Sequence, residues 1–179
     1  MLQNYNKWKV LGLFFDDPLP EGGGFQLREI SRKVKIAPTS VKNYLKELET
    51  EGLILKSKHR VHGFPLYFAG RENEKFIFYK RLNTLSLVFE SGLLNHFQET
   101  CMPEVIVLFG SAAKGEDIKT SDIDLFIQCK ERKIELEKFE KKINRRISLF
   151  FAEDFSDLSG ELRNNLINGI KLKGYLKVF

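Results

Sequence analysis

The sequence predicts an α+β chain in two domains: a helical unit closed by a hairpin, then a mixed sheet with covering helices. Three observations predict it. Apolar residues recur at helical spacing through the first 50 positions, and strand-like runs begin only after Gly52. The second half instead alternates short apolar runs with amphipathic stretches, the pattern of strands covered by helices. The charge is also divided. Residues 1–71 hold 12 Lys and Arg against 7 Asp and Glu, whereas residues 72–179 hold 17 of each, so the whole net charge of +5 lies in the first part. The expected organisation is a basic unit over 1–71, a helical linker over 72–102 and a second domain over 103–179.

The first segment reads as three helices and a hairpin. Trp8, Leu11, Phe14 and Phe15 give a helix over residues 3–15, stopped by Asp16-Asp17-Pro18. Pro20–Gly24 reads as a flexible connection. Leu27, Ile30 and Val34 mark a second helix, and Ile36-Ala37-Pro38 a tight turn into a third, with Pro38 in its first turn. Val41, Leu45 and Leu48 form the third helix's apolar stripe, which Gly52 ends. Strand-like runs at Leu53–Lys58 and Pro65–Ala69 flank the polar bend Lys58-His59-Arg60-Val61-His62-Gly63.

The stretch F-Q-L-R-E-I-S-R-K-V-K-I-A-P-T-S-V-K-N-Y-L-K-E-L-E-T-E-G-L-I, within residues 5–70, resembles prokaryotic, particularly archaeal, winged helix-turn-helix regulators. Ala37 departs from that pattern, where a capping Ser or Thr is common, so Thr39 or Ser40 is expected to cap instead. With Val41, Leu45 and Leu48 inward, the third helix projects Thr39, Ser40, Lys42, Asn43 and Lys46. Those residue types suit phosphates and base edges in a major groove, and Lys56, Lys58, His59 and Arg60 suit phosphates beside it. Double-stranded DNA is the expected partner; the other reading is a protein-contact surface with a solvated basic face. His59 and His62 lack a third metal ligand and read as wing residues.

Residues 72–100 look helical, with Gly92 a break. Strand-like runs follow at Val105–Phe109, Asp124–Cys129 and Ile147–Phe151, with a helix over about Lys130–Arg146 between the last two. Its basic residues Lys141, Lys142, Arg145 and Arg146 read as a solvated side. A helix near Leu158–Asn168 and a strand around Tyr175–Phe179 complete the chain.

The sharpest chemical signal is V-I-V-L-F-G-S-A-A-K-G-E-D-I-K-T-S-D-I-D-L-F-I, residues 105–127. Ten residues separate Ser111 from Asp122-x-Asp124, which opens a buried strand. Alternation puts both carboxylates on one face, where they repel unless a cation lies between them. Gly110 allows close backbone approach to a phosphate, and the Ser111 hydroxyl can donate to one. A short helix from Ser111 to Lys114 would add N–H groups.

This G-S-x10-D-x-D pattern between apolar strands resembles the DNA polymerase β-like nucleotidyltransferases, closest to their minimal forms, over roughly residues 104–178. The resemblance implies a small mixed sheet backed by helices and transfer of a nucleotidyl group, AMP, from an NTP, ATP, to a hydroxyl. It implies Gly110, Ser111, Lys114 and Ser121 at the nucleotide, and Asp122 and Asp124 as the catalytic carboxylates ligating Mg²⁺ or Mn²⁺. Family members carry a third carboxylate in a later strand; here Arg146-Ile147-Ser148-Leu149-Phe150 puts Ser148 in its place. Serine is a weaker ligand and no base at neutral pH. Some relatives are antitoxins that adenylylate a helical toxin, which makes a protein acceptor plausible.

Two functions stay open: a nucleotidyltransferase acting on a protein or small-molecule hydroxyl, and a DNA-binding regulator whose second domain senses nucleotide or holds a homodimer. The apolar fraction of 42% and charged fraction of 30% exclude a disordered tail. The longest apolar run, Val10–Phe15, falls far short of the ~20 residues that span a bilayer. It ends at Asp16-Asp17 without a cleavage site, so a cytoplasmic protein with no membrane association is expected. Cys101 and Cys129 read as two reduced thiols.

Overall fold

A computed structural model of the chain describes residues 5–18 and 20–178. Residues 3 and 4 of the expected first helix and Phe179 of the expected last strand lie outside them. The chain divides between Asn83 and Thr84 into two compact units.

The first unit comprises α1 (Asn6–Asp16), α2 (Leu27–Val34), α3 (Pro38–Thr50), a hairpin of β1 (Ile54–Lys58) and β2 (Pro65–Ala69), and the start of α4 (Glu74–Ser91). Val10, Leu11, Phe14 and Phe15 of α1 meet Ile30 of α2 and Val41, Leu45 and Leu48 of α3 in one core. The helical spacing of these residues creates the faces that pack, each buried side chain contributing ~1.5–3 kcal/mol. Ser31 Oγ donates to the Ile36 carbonyl at 2.6 Å, pinning the α2–α3 turn.

Two expectations are corrected here. Neither Thr39 nor Ser40 caps α3: the helix begins at Pro38, with Ala37 at the N-cap and no side-chain cap. Proline has no N–H, so it removes one of the orphan donors a cap would satisfy. Pro20–Gly24 is no loose connection either. Glu21–Gly23 form a 3-10 turn, and Phe25 exchanges backbone hydrogen bonds with Tyr67 at 2.7 and 2.9 Å. Gly24, at φ +151°, lets the chain pass against β2, where a Cβ would stand 3.0 Å from the Tyr67 carbonyl oxygen.

The second unit contains the rest of α4, α5 (Leu93–Cys101), β3 (Val105–Phe109), α6 (Gly110–Lys114), β4 (Ile123–Gln128), α7 (Glu137–Ile143), β5 (Ile147–Ala152), α8 (Gly160–Ile167) and β6 (Ile170–Gly174). Gly92, at φ +84°, separates α4 from α5. The sheet order is β5-β4-β3-β6, with β4 and β5 parallel and the other pairs antiparallel. Strand alternation splits the apolar residues between two faces. Ile106, Leu108, Ile123, Leu125 and Ile127 pack with Phe97 of α5 and Phe139 and Ile143 of α7. Val105, Val107, Phe109 and Phe126 pack on the other face with Phe155 and Leu166.

The helix expected over 130–146 is only Glu137–Ile143. Ile134 and Leu136 pack on the core from outside it, and Asn144, at φ +59°, stops it in the left-handed region. The last strand is Ile170–Gly174 rather than 175–179. Ile170 and Leu172 reach the core, whereas Lys171 and Lys173 are exposed, so pairing with β3 selects the segment that alternates. Among the described residues, no helix is long and apolar enough to cross a membrane.

Candidate functional site

The register of the second sheet assembles the site. Phe109 stands opposite Asp124, and Asp124 opposite Ser148, so one rung runs Phe109–Asp124–Ser148 across three strands. The next rung is Val107–Phe126–Phe150. Both project on the face away from α5 and α7. Asp122 lies two residues before Asp124 and joins the first rung, since Ser148 Oγ donates to Asp122 Oδ2 at 3.0 Å.

Asp124 is half-buried, and its carboxyl is held above the usual carboxylate range, first by burial and then by the charge of Asp122. Gly110 lies against it. At φ +70° Gly110 adopts a conformation glycine favours, and a Cβ there would overlap Asp124 Oδ2. Ser111 follows in α6, a single turn of five residues, which offers free N–H groups but little macrodipole. Lys114 is exposed at the end of that turn. Among the described residues, no ion pair ties it to either carboxylate.

Ser121 is engaged in its own loop. Its hydroxyl accepts from the Ile118 N–H at 3.0 Å, and its carbonyl accepts from Arg145 Nε at 2.8 Å. Arg145 also pairs with Asp117 at 2.9 Å, and the Asp117 side chain is only 3% exposed. Arg145 is therefore not part of a solvated basic side, as expected, but the strut that sets the loop ahead of Asp122. Lys142 Nζ likewise donates to the Ser91 carbonyl at 3.1 Å. Neither role was legible, because a short-range pattern carries no sign of partners 28 and 51 residues away.

In the first unit, α3 buries Val41, Leu45 and Leu48 and exposes Thr39, Lys42, Asn43 and Lys46, with Ser40 half-exposed. Lys58 and Arg60 are exposed on the hairpin. The acidic end of α3 is offset elsewhere, since Lys7 pairs with Glu47 at 3.0 Å and Glu51 at 2.5 Å. Among the described residues Lys42 and Lys46 make no ion pair, so their charge stays available. At the hairpin tip, His59 Nδ1 accepts from the N–H groups of Val61 and His62 at 3.3 and 3.2 Å. The two rings stack at 5.1 Å, so these histidines shape the tip.

Residues 92–176 match the family model described as polymerase beta, nucleotidyltransferase. Residues 23–54 match a winged helix-turn-helix DNA-binding model. The chain joins a winged helix to a polymerase β-type nucleotidyltransferase domain. No curated protein and no solved structure matches it.

A nucleotidyltransferase domain implies use of an NTP and a divalent metal. The residues present fit such an ion. Asp122 and Asp124 are hard oxygen donors, and a cation would offset the burial and the Asp122 charge that raise the Asp124 carboxyl. The donor set is lean. Among the described residues no group of three His, Cys, Asp or Glu could hold a metal, and the third position of the rung offers only the neutral Ser148 hydroxyl. Asp154, near the far end of β5, is used to accept from Ser156 N–H and Oγ at 2.7 Å. The nucleotidyltransferase domain thus joins Gly110, Asp122, Asp124 and Ser148 closely and leaves Lys114 and Ser121 at its edge. Phe150, two residues after Ser148, stands exposed on the second rung.

Proposed function

We propose that this protein binds DNA through its winged helix and transfers AMP from ATP to a hydroxyl through its nucleotidyltransferase domain. The observation that carries the second half is the apposition of Gly110 to Asp124, with Asp122 and Asp124 on one face. Asp122 and Asp124 would hold Mg²⁺ or Mn²⁺, with Gly110 and Ser111 at the triphosphate. When bound, the metal neutralises phosphate charge and polarises the phosphorus. The acceptor hydroxyl oxygen bonds to the α-phosphorus, the bond from that phosphorus to the bridging oxygen breaks, and pyrophosphate leaves. The hydroxyl proton goes to water, because Ser148 supplies no positioned base. That forfeits a factor of about 10²–10⁴.

The Ser148–Asp122 hydrogen bond favours a second reading, in which turnover is minimal and the domain senses nucleotide or holds a dimer for a DNA-binding regulator. A helical toxin-like protein is the acceptor proposed for the first reading, and a homodimer on duplex DNA the assembly for the second. Both place the protein in the cytoplasm, with DNA and nucleotide.

Incubation with each labelled NTP, Mg²⁺ or Mn²⁺, and candidate protein acceptors tests transfer. Calorimetry of Asp122→Asn with Asp124→Asn tests the site itself. Loss of metal-dependent ATP binding with the fold intact is expected, and unchanged affinity overturns the reading.

A further inference from the structure

We infer that Phe150 is the platform on which the nucleotide base stacks, and that the site therefore takes a purine nucleoside triphosphate. This rests on the nucleotide-site reading above. On the second rung Val107 is 1% exposed and Phe126 is fully buried, yet Phe150 is 41% exposed. The ring is held: it meets Phe109 in a T-shaped contact, centroids 5.2 Å apart and planes at 72°. Phe109 and Phe150 lie on strands either side of β4, so their contact crosses that strand on the face that carries Asp124.

The spacing suits a nucleotide. Phe150 follows Ser148 by two residues, about 7 Å along the strand, so it stands one rung from the carboxylates. A phosphate chain held at Gly110 and the aspartates has a ribose between it and the base. That ribose spans the gap, and the base reaches the ring. A phenyl group offers no hydrogen bond, so it selects by π-surface, and a purine presents more than a pyrimidine. A bare polyphosphate gains nothing from it.

Calorimetry with Mn²⁺ and ATP, GTP, CTP, UTP or tripolyphosphate provides the test. The wild type should bind ATP and GTP more tightly than CTP, UTP and tripolyphosphate. Phe150→Ala should weaken ATP binding by about 5- to 150-fold and leave tripolyphosphate unchanged. Phe150→Trp should retain ATP affinity, and Phe150→Leu, which keeps apolar bulk without a ring, should lose it as Phe150→Ala does and carries the test if Phe150→Ala fails to fold. ATP affinity unchanged in whichever of Phe150→Ala and Phe150→Leu folds overturns the inference, as do equal losses of ATP and tripolyphosphate. If the wild type binds neither, the nucleotide-site reading falls, and this inference with it.

Discussion

Ser148 and Asp122 sit 26 positions apart in sequence and are joined by a 3.0 Å hydrogen bond from the Ser148 hydroxyl to Asp122 Oδ2. The bond satisfies one lone pair of a carboxylate that lies beside a second one, Asp124, which Ser148 faces across the β4–β5 pair.

Replacing this hydroxyl with a carboxylate, Ser148→Asp, should raise Mn²⁺ affinity and increase any transfer rate. It should also lower stability without metal, because a third negative charge joins Asp122 and Asp124. Thermal melts with and without Mn²⁺, beside a labelled-ATP assay, read the two effects. If the variant changes neither affinity nor rate while the wild type transfers efficiently, Ser148 is not at the missing acid's position.

The Arg145–Asp117 pair should be essential to stability. Arg145→Met leaves the Asp117 carboxylate buried without its guanidinium partner, a loss of about 3–5 kcal/mol. Adding Asp117→Asn should recover part of it. Urea melts of both single variants and the double complete the cycle; additive losses would show that the groups do not interact.

DNA affinity should fall steeply with salt. Each phosphate neutralised contributes ~0.9 to the slope of log affinity against log salt, so Lys42→Ala with Lys46→Ala should flatten it by about 2. Fluorescence anisotropy on duplex DNA measures this. A folded protein with no duplex affinity at about 50 mM salt would exclude the DNA role.

Cys129 should resist thiol reagents in the folded protein. Burial first, and then its neighbour Cys101, push its thiol up to about 12. The reactive thiolate forms only as pH rises towards that value, so at about pH 8 it is a very minor species. Thiol titration should find Cys129 unlabelled natively and labelled in denaturant. Fast native labelling at about pH 8 would contradict the raised thiol.

Residue order alone was enough to read the helices of the first unit, because Val41, Leu45 and Leu48 repeat at the period of the element they build, and burial follows period. It was also enough for the Gly110-Ser111 and Asp122-x-Asp124 elements, since strand alternation settles which side chains share a face over three residues. Only the tertiary structure decided what depends on register and on partners far along the chain. β4–β5 pairing sets Ser148 opposite Asp124, and Arg145 leaves the solvent for Asp117. Asn144, in the left-handed region, ends α7, and pairing with β3 puts the last strand at Ile170–Gly174, because the segment that covers β3 and reaches the core prevails over the segment with more aromatic residues. Local propensity is worth tenths of a kcal/mol per residue. Burial of one large side chain is worth several times that, so packing decides wherever the two disagree.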